Sequence, residues 1–313
     1  MEQVPTVDLR NPGQTGLDDL DAACRDHGFF LLVGHGLDAL IEETWAATRD
    51  FFAAPEALKA GIRRTEEQPL GYYDRELTKR RRDCKEVFDY MEPDGPIGTS
   101  RNRWPDGLPG FRETQSAFFG AFSKLAAETL ALVHSALGVD PAVAATHAGS
   151  AMTSTVRLNH YPTADPVPPR ERDGLPGLGE VALGHHTDPG VLTLLLQDQT
   201  GGLQAHSRDD GWIDVPPAPG TIVVNLADSL QVWSNDRYRA AVHRVTPMQD
   251  EARYSIPYFY NPPLDAVIAP IDGIDGTPRY RPFTWREFIQ ARIDDNFTDL
   301  GEADTQASHF RVA

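Results

Sequence analysis

Three residues in the second half of the chain could together bind a metal ion. His186 and Asp188 are two residues apart in a stretch of strand type, so both side chains project from the same face. His243 lies in a later strand-like run and could supply a third ligand. An HxD pair alone is a weak signal, because a hydrogen-bonded His–Asp pair at a strand end is its commoner explanation. The prediction of a metal site therefore depends on the surrounding residues.

The composition of this triad indicates which metal it would hold. Two histidines and one carboxylate on one face of an octahedron leave three positions open, as in non-haem Fe(II) oxygenases. Zinc also accepts His and Asp, so a zinc hydrolase that works without oxygen is a weaker alternative. His185 is adjacent and could bind metal too, but it should face away from Asp188. The alternation therefore favours His186.

A second pair of residues could bind a carboxylate. Arg253 and Ser255 follow His243 and share one face of a strand that is rich in Tyr and Phe. A guanidinium and a hydroxyl together fit a carboxylate group. Taken alone, a surface arginine in a salt bridge explains Arg253 better. Its position after His243 places it beside the predicted metal.

The first half of the chain is predicted to be mainly helical. Apolar residues at helical spacing indicate one helix that ends before Gly28, a second that stops at Pro55, and a long one from about Phe111 to Leu137. Phe29 to Val33 is a short apolar run of strand type. A final helix is expected over about Thr284 to Asp294. The aromatic side chains of the long helix are expected to be core.

From Thr155 onward the sequence predicts β-strands. Short apolar runs alternate with Gly, Pro and Asp, which is typical of a sandwich or barrel of the jelly-roll kind. The predicted strands are Thr155 to Tyr161, Val191 to Gln197, Gly202 to His206, Trp212 to Val215, Thr221 to Leu226, Ala240 to Thr246 and Arg253 to Tyr260.

Composition and charge exclude several classes of protein. The 313 residues are 40% hydrophobic and 24% charged, which is typical of a globular chain. A net charge of −17 repels phosphate backbones, so no nucleic-acid partner is expected. No apolar run approaches the length that a membrane helix needs, and the first residues do not resemble a signal peptide. Two distant cysteines, Cys24 and Cys84, fit a reducing compartment, so the expected location is the cytoplasm.

Two polar segments have both a plain and a functional interpretation. Asp165 to Gly179 is rich in Pro, Gly and charge and reads as a surface loop between strands, either a tolerated insertion or a lid. Lys79 to Arg82 is a basic run in an acidic chain. A solvated face is the default for such a run, and capture of an acidic substrate is the alternative.

Several segments resemble one enzyme family in the same order along the chain. GHHTDPGVLTLLLQD, GGLQ, GWIDVPPAPGTIVVNLADSLQVWSNDRYRAAVHRV and RYSIPYFYNP resemble blocks of the isopenicillin N synthase-like Fe(II)/2-oxoglutarate-dependent dioxygenases. VPTVDL, ACRDHGFFLLVGHGL, GYYDRE and DCKEVFDY resemble that family's amino-terminal region. The similarity extends from about residue 4 to residue 295. It implies a mainly β fold with flanking helices (α+β), a distorted jelly-roll or double-stranded β-helix core, and a helical N-terminal region.

The resemblance also implies roles for particular residues. His186, Asp188 and His243 match the iron ligands, and Arg253 and Ser255 match the RxS pair that holds the distal carboxylate of 2-oxoglutarate. Asn159 and Tyr161 match an N-x-Y segment that reaches the same co-substrate, with His160 between them expected to point the other way.

The activity implied by the resemblance is oxidation of a small molecule with Fe(II), 2-oxoglutarate and O2. Succinate and CO2 would be released, and Asp188 favours hydroxylation, desaturation or ring closure over halogenation, since related halogenases lack this carboxylate. Two alternatives stay open, namely a 2-oxoglutarate-independent iron oxidase of the same superfamily and a non-catalytic small-molecule binder. Secondary metabolism is the expected setting, and the protein is expected to be a monomer or a weak homo-oligomer.

The substrate itself is not identified by the sequence. Tyr72, Tyr73, Phe88 and Phe259 are candidate aromatic walls, although core packing explains each of them equally well. The predicted organisation is an N-terminal region over 1–110, a packing helix and connector over 111–150, the jelly-roll core over 151–295 and a tail over 296–313.

Overall fold

Two β-sheets face each other in this computed structural model, which describes residues 4–10, 13–78, 81–207, 211–290 and 306–312. In the larger sheet β1 and β2 are parallel and all other neighbours are antiparallel. Its order is β1 (Thr6–Asp8), β2 (Phe29–Val33), β12 (Ile222–Leu226), β9 (Leu192–Gln197), β14 (Arg253–Tyr260), β7 (Thr155–Tyr161), β6 (Glu86–Met91) and β3 (Gly71–Tyr73).

The smaller sheet carries part of the predicted metal triad. Its order is β11 (Gly211–Asp214), β10 (Leu203–Ser207), β13 (His243–Val245) and β8 (Leu183–His186). Two short two-stranded sheets lie outside these, β4 (Leu77–Thr78) with β5 (Arg81–Arg82) and β15 (Val267–Ile268) with β16 (Phe283–Thr284). The paired sheets form the expected jelly roll, and flanking helices complete the α+β architecture.

Helices pack on the outer face of the larger sheet, the longest of them against β9 and β14. They are α1 (Gln14–Asp26), α2 (Asp38–Ala53), α3 (Glu56–Gly61), α4 (Pro96–Arg101), α5 (Phe111–Leu137), α6 (Pro141–Ala144) and α7 (Asp228–Trp233), with 3-10 turns at Ala151–Thr153, Pro169–Glu171 and Ala307–Phe310. A further helix covers 285–290, and the rest of the helix expected to reach Asp294 lies outside the described residues. The first three predicted helices are confirmed. Gly138 ends α5 with a positive φ of 79°, a conformation that glycine adopts without strain.

Alternation along the strands gives the larger sheet two different faces. We call the face toward the helices the helix side and the face toward the smaller sheet the interior side. On β14, Ile256 and Tyr258 belong to the apolar core on the helix side. Leu195 of β9 and Val223 of β12 point to the interior side, where they pack against Leu203 of the smaller sheet. Each strand therefore contributes alternate residues to the core and to the space between the sheets.

The strands between residues 71 and 91 were not expected from the sequence. Glu86–Met91 pairs with β7, and Gly71–Tyr73 pairs with Glu86–Met91. The segment EVFDYM places Glu86 and Phe88 on the helix side, and Val87 and Asp89 on the interior side. Because polar and apolar residues occur on both faces, the sequence lacks the simple alternation by which a strand is recognised.

The long helix α5 is the core helix of the fold. By length and composition alone it could cross a membrane, contrary to the expectation that the chain has no such stretch. Twelve of its side chains are buried, and it lies against α1, α2 and the larger sheet. Its apolar character is therefore explained by packing, as predicted for its aromatic side chains.

Candidate active site

The three predicted metal ligands come together at one end of the space between the sheets. His186 and His243 are paired across β8 and β13, and Asp188 follows β8 by two residues. Asp188 Oδ1 lies 3.7 Å from His186 Nε2 and 3.9 Å from His243 Nε2. One ligand atom from each of the three residues lies within 4.8 Å of the other two. This donor set fits a single divalent metal bound on one face of its coordination sphere.

The surrounding structure orients these side chains. Nδ1 of His186 donates to the Gly184 carbonyl at 2.8 Å, and Nδ1 of His243 donates to the Ala241 carbonyl at 3.0 Å. In both neutral imidazoles the proton is therefore on Nδ1, and Nε2 has the lone pair that can bind a metal. The Thr193 hydroxyl donates to Asp188 Oδ2 at 2.5 Å. Burial, with a smaller contribution from His243, lowers the pKa of His186 to about 3, so its imidazole is neutral at neutral pH.

His185 lies on the opposite side of β8 from this cluster. Its side chain is exposed, and its ring contacts Trp212 with centroids 6.1 Å apart. The placement follows the alternation that separates His185 from Asp188.

Arg253 is a buried cation with incomplete hydrogen bonding. Its side chain is only 1% exposed, and neither Nε nor Nη1 has a hydrogen-bond partner. The guanidinium lies over the Tyr161 ring, 5.0 Å from its centroid. Buried polar groups are nearly always paired, so two unpartnered nitrogens on a buried cation fit an anionic ligand such as a carboxylate.

The residues predicted beside Arg253 lie with it on the interior side. Tyr161 is paired with Arg253, and Asn159 with Ser255, across β7 and β14. Asn159 Nδ2 donates to Ser255 Oγ at 3.2 Å, while Asn159 Oδ1 is buried without a partner. The structure therefore brings together all four residues of the predicted co-substrate pocket.

His160 points to the helix side, as the alternation requires. Its Nδ1 lies 2.6 Å from Glu86 Oε1, and Glu86 Oε2 accepts hydrogen bonds from Lys59 and from the Tyr72 hydroxyl. This buried network belongs to the core and not to the space between the sheets.

The four candidate aromatic walls divide between the two faces. Tyr72 and Phe88 are about 1% and 0% exposed and pack against Phe51 on the helix side. This placement corrects their prediction as substrate walls, because the sheet separates them from the metal triad. Tyr73 and Phe259 are half-buried on the interior side. Phe259 is paired with Thr193, the residue that bonds to Asp188.

An ionic layer on the interior side was missed by the sequence analysis. Arg157 forms ion pairs with Glu76 and Asp89, and Arg64 pairs with the same two carboxylates. Lys85 also pairs with Glu76, at 2.9 Å. The nearby cations hold the pKa of Glu76 well below its usual value although burial opposes this. Arg157 is two residues from Asn159 in the same strand, so alternation along the strand could have placed it on the same face.

The loop Asp165 to Gly179 is attached to the segment that precedes β6. Arg82 makes a bidentate ion pair with Asp165, with bonds of 3.0 and 2.7 Å, and its Nε donates to the Pro176 carbonyl. Arg75 binds Glu171 of the same loop. Arg82 is therefore buried and structural, so the default interpretation of the basic run as a solvated face is wrong at Arg82, whereas Arg81 is exposed as that interpretation expects. Lys79 and Arg80 lie outside the described residues.

Family models match two parts of the chain. Residues 152–262 match the 2OG-Fe(II) oxygenase superfamily, and residues 4–107 match the N-terminal region described as non-haem dioxygenase in morphine synthesis. Among curated proteins, gibberellin 2-beta-dioxygenase 4 of Arabidopsis thaliana is 30% identical over 96% of this chain and 94% of its own length. Homoarginine-6-hydroxylase 2-ODD-C23 of Glycine max is 30% identical over 90% of this chain and 89% of its own.

Solved structures with the same architecture contain the expected co-substrate. JOX2 in complex with 2OG, Fe and JA is 26% identical, with a TM-score of 0.82 over 99% of this chain and 89% of that one. A full-length Neurospora crassa protein in complex with alpha-KG is 29% identical, with a TM-score of 0.78 over 93% of this chain and 96% of that one. Since sequence and fold agree over nearly the whole length, this chain belongs to the 2OG-Fe(II) oxygenase superfamily and is an Fe(II)- and 2-oxoglutarate-dependent dioxygenase of small molecules.

Proposed function

We propose that His186, Asp188 and His243 bind the catalytic Fe(II), and that Arg253 with Ser255 binds the distal carboxylate of 2-oxoglutarate. The observation that carries this assignment is the buried Arg253 guanidinium with two unpartnered nitrogens, on the interior side with the triad. A dianionic co-substrate would satisfy that cation and leave its other end to reach the metal. Asn159 and Tyr161 complete the walls of this pocket.

The residues of this chain contribute orientation and charge. Bound iron with 2-oxoglutarate and O2 supplies the oxidation of a substrate C–H bond, with release of succinate and CO2. Arg253 neutralises the far carboxylate, and its planar fork fixes the direction in which the co-substrate lies. Thr193 and the backbone carbonyls of Gly184 and Ala241 hold the three metal-binding side chains in place. The presence of Asp188 favours hydroxylation, desaturation or ring closure as the outcome.

We further propose a setting for this activity. The named relatives act on gibberellin and homoarginine, which supports a role in small-molecule metabolism such as secondary metabolism. The free thiols of Cys24 and Cys84 are consistent with a reducing, cytoplasmic location. The acidic charge argues against nucleic acid as a partner. A monomer or weak homo-oligomer is expected by light scattering.

Metal binding and co-substrate consumption test the assignment directly. The wild type should bind one equivalent of Fe(II) anaerobically and then convert 2-oxoglutarate to succinate under air, slowly without a substrate. His186→Ala and His243→Ala should each abolish both properties. His185→Ala is the matched control, because that imidazole faces outward, and it should retain both. Iron binding that survives in His243→Ala, or is lost in His185→Ala, contradicts the assignment.

A further inference from the structure

His186 and His243 are oriented by main-chain carbonyls that are held in different ways. The Gly184 carbonyl, which accepts from His186, belongs to β8 itself. The Ala241 carbonyl, which accepts from His243, lies before β13 begins, in a segment that is neither helix nor strand. Strand pairing within β13 therefore does not fix the carbonyl on which the His243 imidazole depends.

Individual hydrogen bonds hold this segment, residues 240–242. Main-chain bonds join it to Leu226 and to His206, at 3.0 and 2.8 Å. A further bond runs from Ala240 N to the side chain of Gln231, whose Oε1 lies 2.7 Å away. Gln231 on α7 thus holds the residue directly before the carbonyl that orients the metal-binding imidazole.

The side-chain amide of Gln231 has a fixed orientation. Its Nε2 donates to Asp236 Oδ1 and to the Tyr280 hydroxyl, at 3.0 Å each, and that hydroxyl donates to the same carboxylate oxygen. A flipped amide would place Oε1 against the Asp236 carboxylate, where neither oxygen can donate. Both hydrogens of Nε2 therefore have acceptors, and Oε1 is left facing Ala240 N.

The helix that carries Gln231 is also bonded to the turn that carries Asp188. Asp228 N of α7 donates to the Asp188 carbonyl at 2.8 Å. The Ser229 hydroxyl donates to the next carbonyl along the chain at 3.0 Å. α7 therefore contacts the supports of two metal-binding residues, Asp188 through its own main chain and His243 through the Gln231 side chain.

We propose that Gln231 is a positioning residue for the metal site. It holds Ala240 N, and thereby the adjacent carbonyl that orients His243. The proposal rests on the proposed function, which makes His243 a metal ligand. With that carbonyl in place the His243 proton stays on Nδ1, and Nε2 keeps its lone pair for the metal. When Ala240 loses its partner, the carbonyl can shift, and the imidazole can rotate or exchange its proton between the two nitrogens.

The tautomer of His243 in the metal-free protein tests this role without any turnover. NMR of protein labelled with 15N in its histidines shows which ring nitrogen carries the proton, at about pH 8.5 where imidazole is neutral. Wild-type His186 and His243 should both carry it on Nδ1. In Gln231→Met, which keeps the length and removes the hydrogen bonds, His243 should populate both tautomers. His186 is the internal control and should be unchanged, because its carbonyl partner belongs to β8. His186→Ala and His243→Ala assign the signals.

Two further variants separate positioning from stability. Gln231→Glu keeps an acceptor for Ala240 N but places a negative charge beside Asp236, so it should lower the free energy of unfolding and keep the wild-type His243 tautomer. Tyr280→Phe removes a hydroxyl from the far side of the amide and should have the same two effects. If Gln231→Met does not fold, Gln231→Asn takes its place, since it withdraws the amide oxygen by one methylene.

Anaerobic titration with Fe(II) is the second measurement. Fe(II) should bind about 3–10-fold more weakly to Gln231→Met, a smaller loss than the roughly 10–100-fold typical of a direct hydrogen-bond partner of a metal ligand. The reason for the smaller loss is that Gln231 acts through the main chain. Gln231→Glu and Tyr280→Phe should bind Fe(II) within about twofold of wild type.

The proposal is overturned if His243 keeps the Nδ1–H tautomer in Gln231→Met, or if that variant binds Fe(II) as tightly as wild type. A mixed tautomer at His186 as well, or at His243 in Tyr280→Phe, would overturn it too, because the effect would then be a general loosening of the site. Failure of the proposed function is seen separately, as unchanged Fe(II) affinity in His243→Ala. If His243→Ala loses iron and Gln231→Met behaves as wild type, the proposed function stands and the inference fails.

Discussion

The two faces of the larger sheet are made by the same strands and yet differ in what they do. On β14, Tyr254, Ile256 and Tyr258 join the core beneath the helices, while Arg253 and Ser255 lie in the interior with the metal triad. The helix side is stabilised by apolar burial, which tolerates substitution as long as volume is kept. The interior side combines an apolar patch around Leu195 and Val223 with charged groups around the site, whose positions depend on one another. A two-residue period therefore places the residues of the site on the interior side and the larger apolar core on the helix side.

Removing a large side chain from the helix side should affect stability and not ligand binding. Phe88→Ala should lower the free energy of unfolding by about 3–5 kcal/mol, because Phe88 is fully buried among aromatic rings. Denaturant unfolding measures the loss, and Fe(II) and 2-oxoglutarate affinities at low temperature should be unchanged. The matched variant Phe259→Ala, on the interior side, should cost less than half as much stability. Equal losses in the two variants would contradict the division between the faces.

Substitution of Arg253 should affect ligand binding and not stability. Arg253→Ala should weaken 2-oxoglutarate binding by roughly 30-fold or more, the loss expected for a buried charge-assisted carboxylate contact of about 2–5 kcal/mol. The stability of the ligand-free protein should change little, because two nitrogens of the Arg253 guanidinium have no hydrogen-bond partner there. Arg253→Lys should also be impaired, since an ammonium lacks the planar fork. Unchanged 2-oxoglutarate affinity in Arg253→Ala would refute the role.

His134, on α5 at the helix side, should make the stability of the protein depend on pH. Burial, with a smaller effect of His147, lowers the pKa of His134 to about 4 from its usual 6.5. The unfolded chain therefore takes up a proton near pH 6.5 while the folded protein does so only near pH 4, and stability falls as the pH drops between these values. The loss is on the order of 3 kcal/mol. Unfolding of metal-free His134→Phe should show a flatter slope in this window than metal-free wild type, and identical slopes would be inconsistent with this origin.

The loop Asp165 to Gly179 is held to the segment before β6 by ion pairs. We propose that it covers the pocket, since it lies between β7 and β8, which both carry site residues. Asp165→Asn weakens the bidentate contact with Arg82 and should change substrate KM by up to about tenfold with iron binding intact. Hydrogen exchange should increase within the loop. Asp173→Asn, an exposed carboxylate in the same loop, is the control, and equal effects of both variants would identify a general charge effect.

Much of this arrangement could be predicted from local sequence. The HxD pair and the later histidine indicated the triad because alternation fixes which side chains share a face. The long helix and the strands after Thr155 were likewise visible from periodicity. The ionic layer was not, because Arg64, Glu76, Asp89 and Arg157 come from four separate segments and choose partners only after the strands have paired. The strands at 71–91 were missed since polar residues occur on both of their faces.

The pairing of β2 with β12 has a consequence for synthesis of the chain. Phe30 is aligned with Val224, about 190 residues later in the sequence. At a translation rate of about 5–20 residues per second, an apolar strand near the N-terminus waits roughly 10–40 s for its neighbour. During that interval the FFLLV edge is open to pairing with other nascent chains. Yield in the cell should therefore respond to chaperone supply and to translation speed between these strands, independently of the stability of the finished protein.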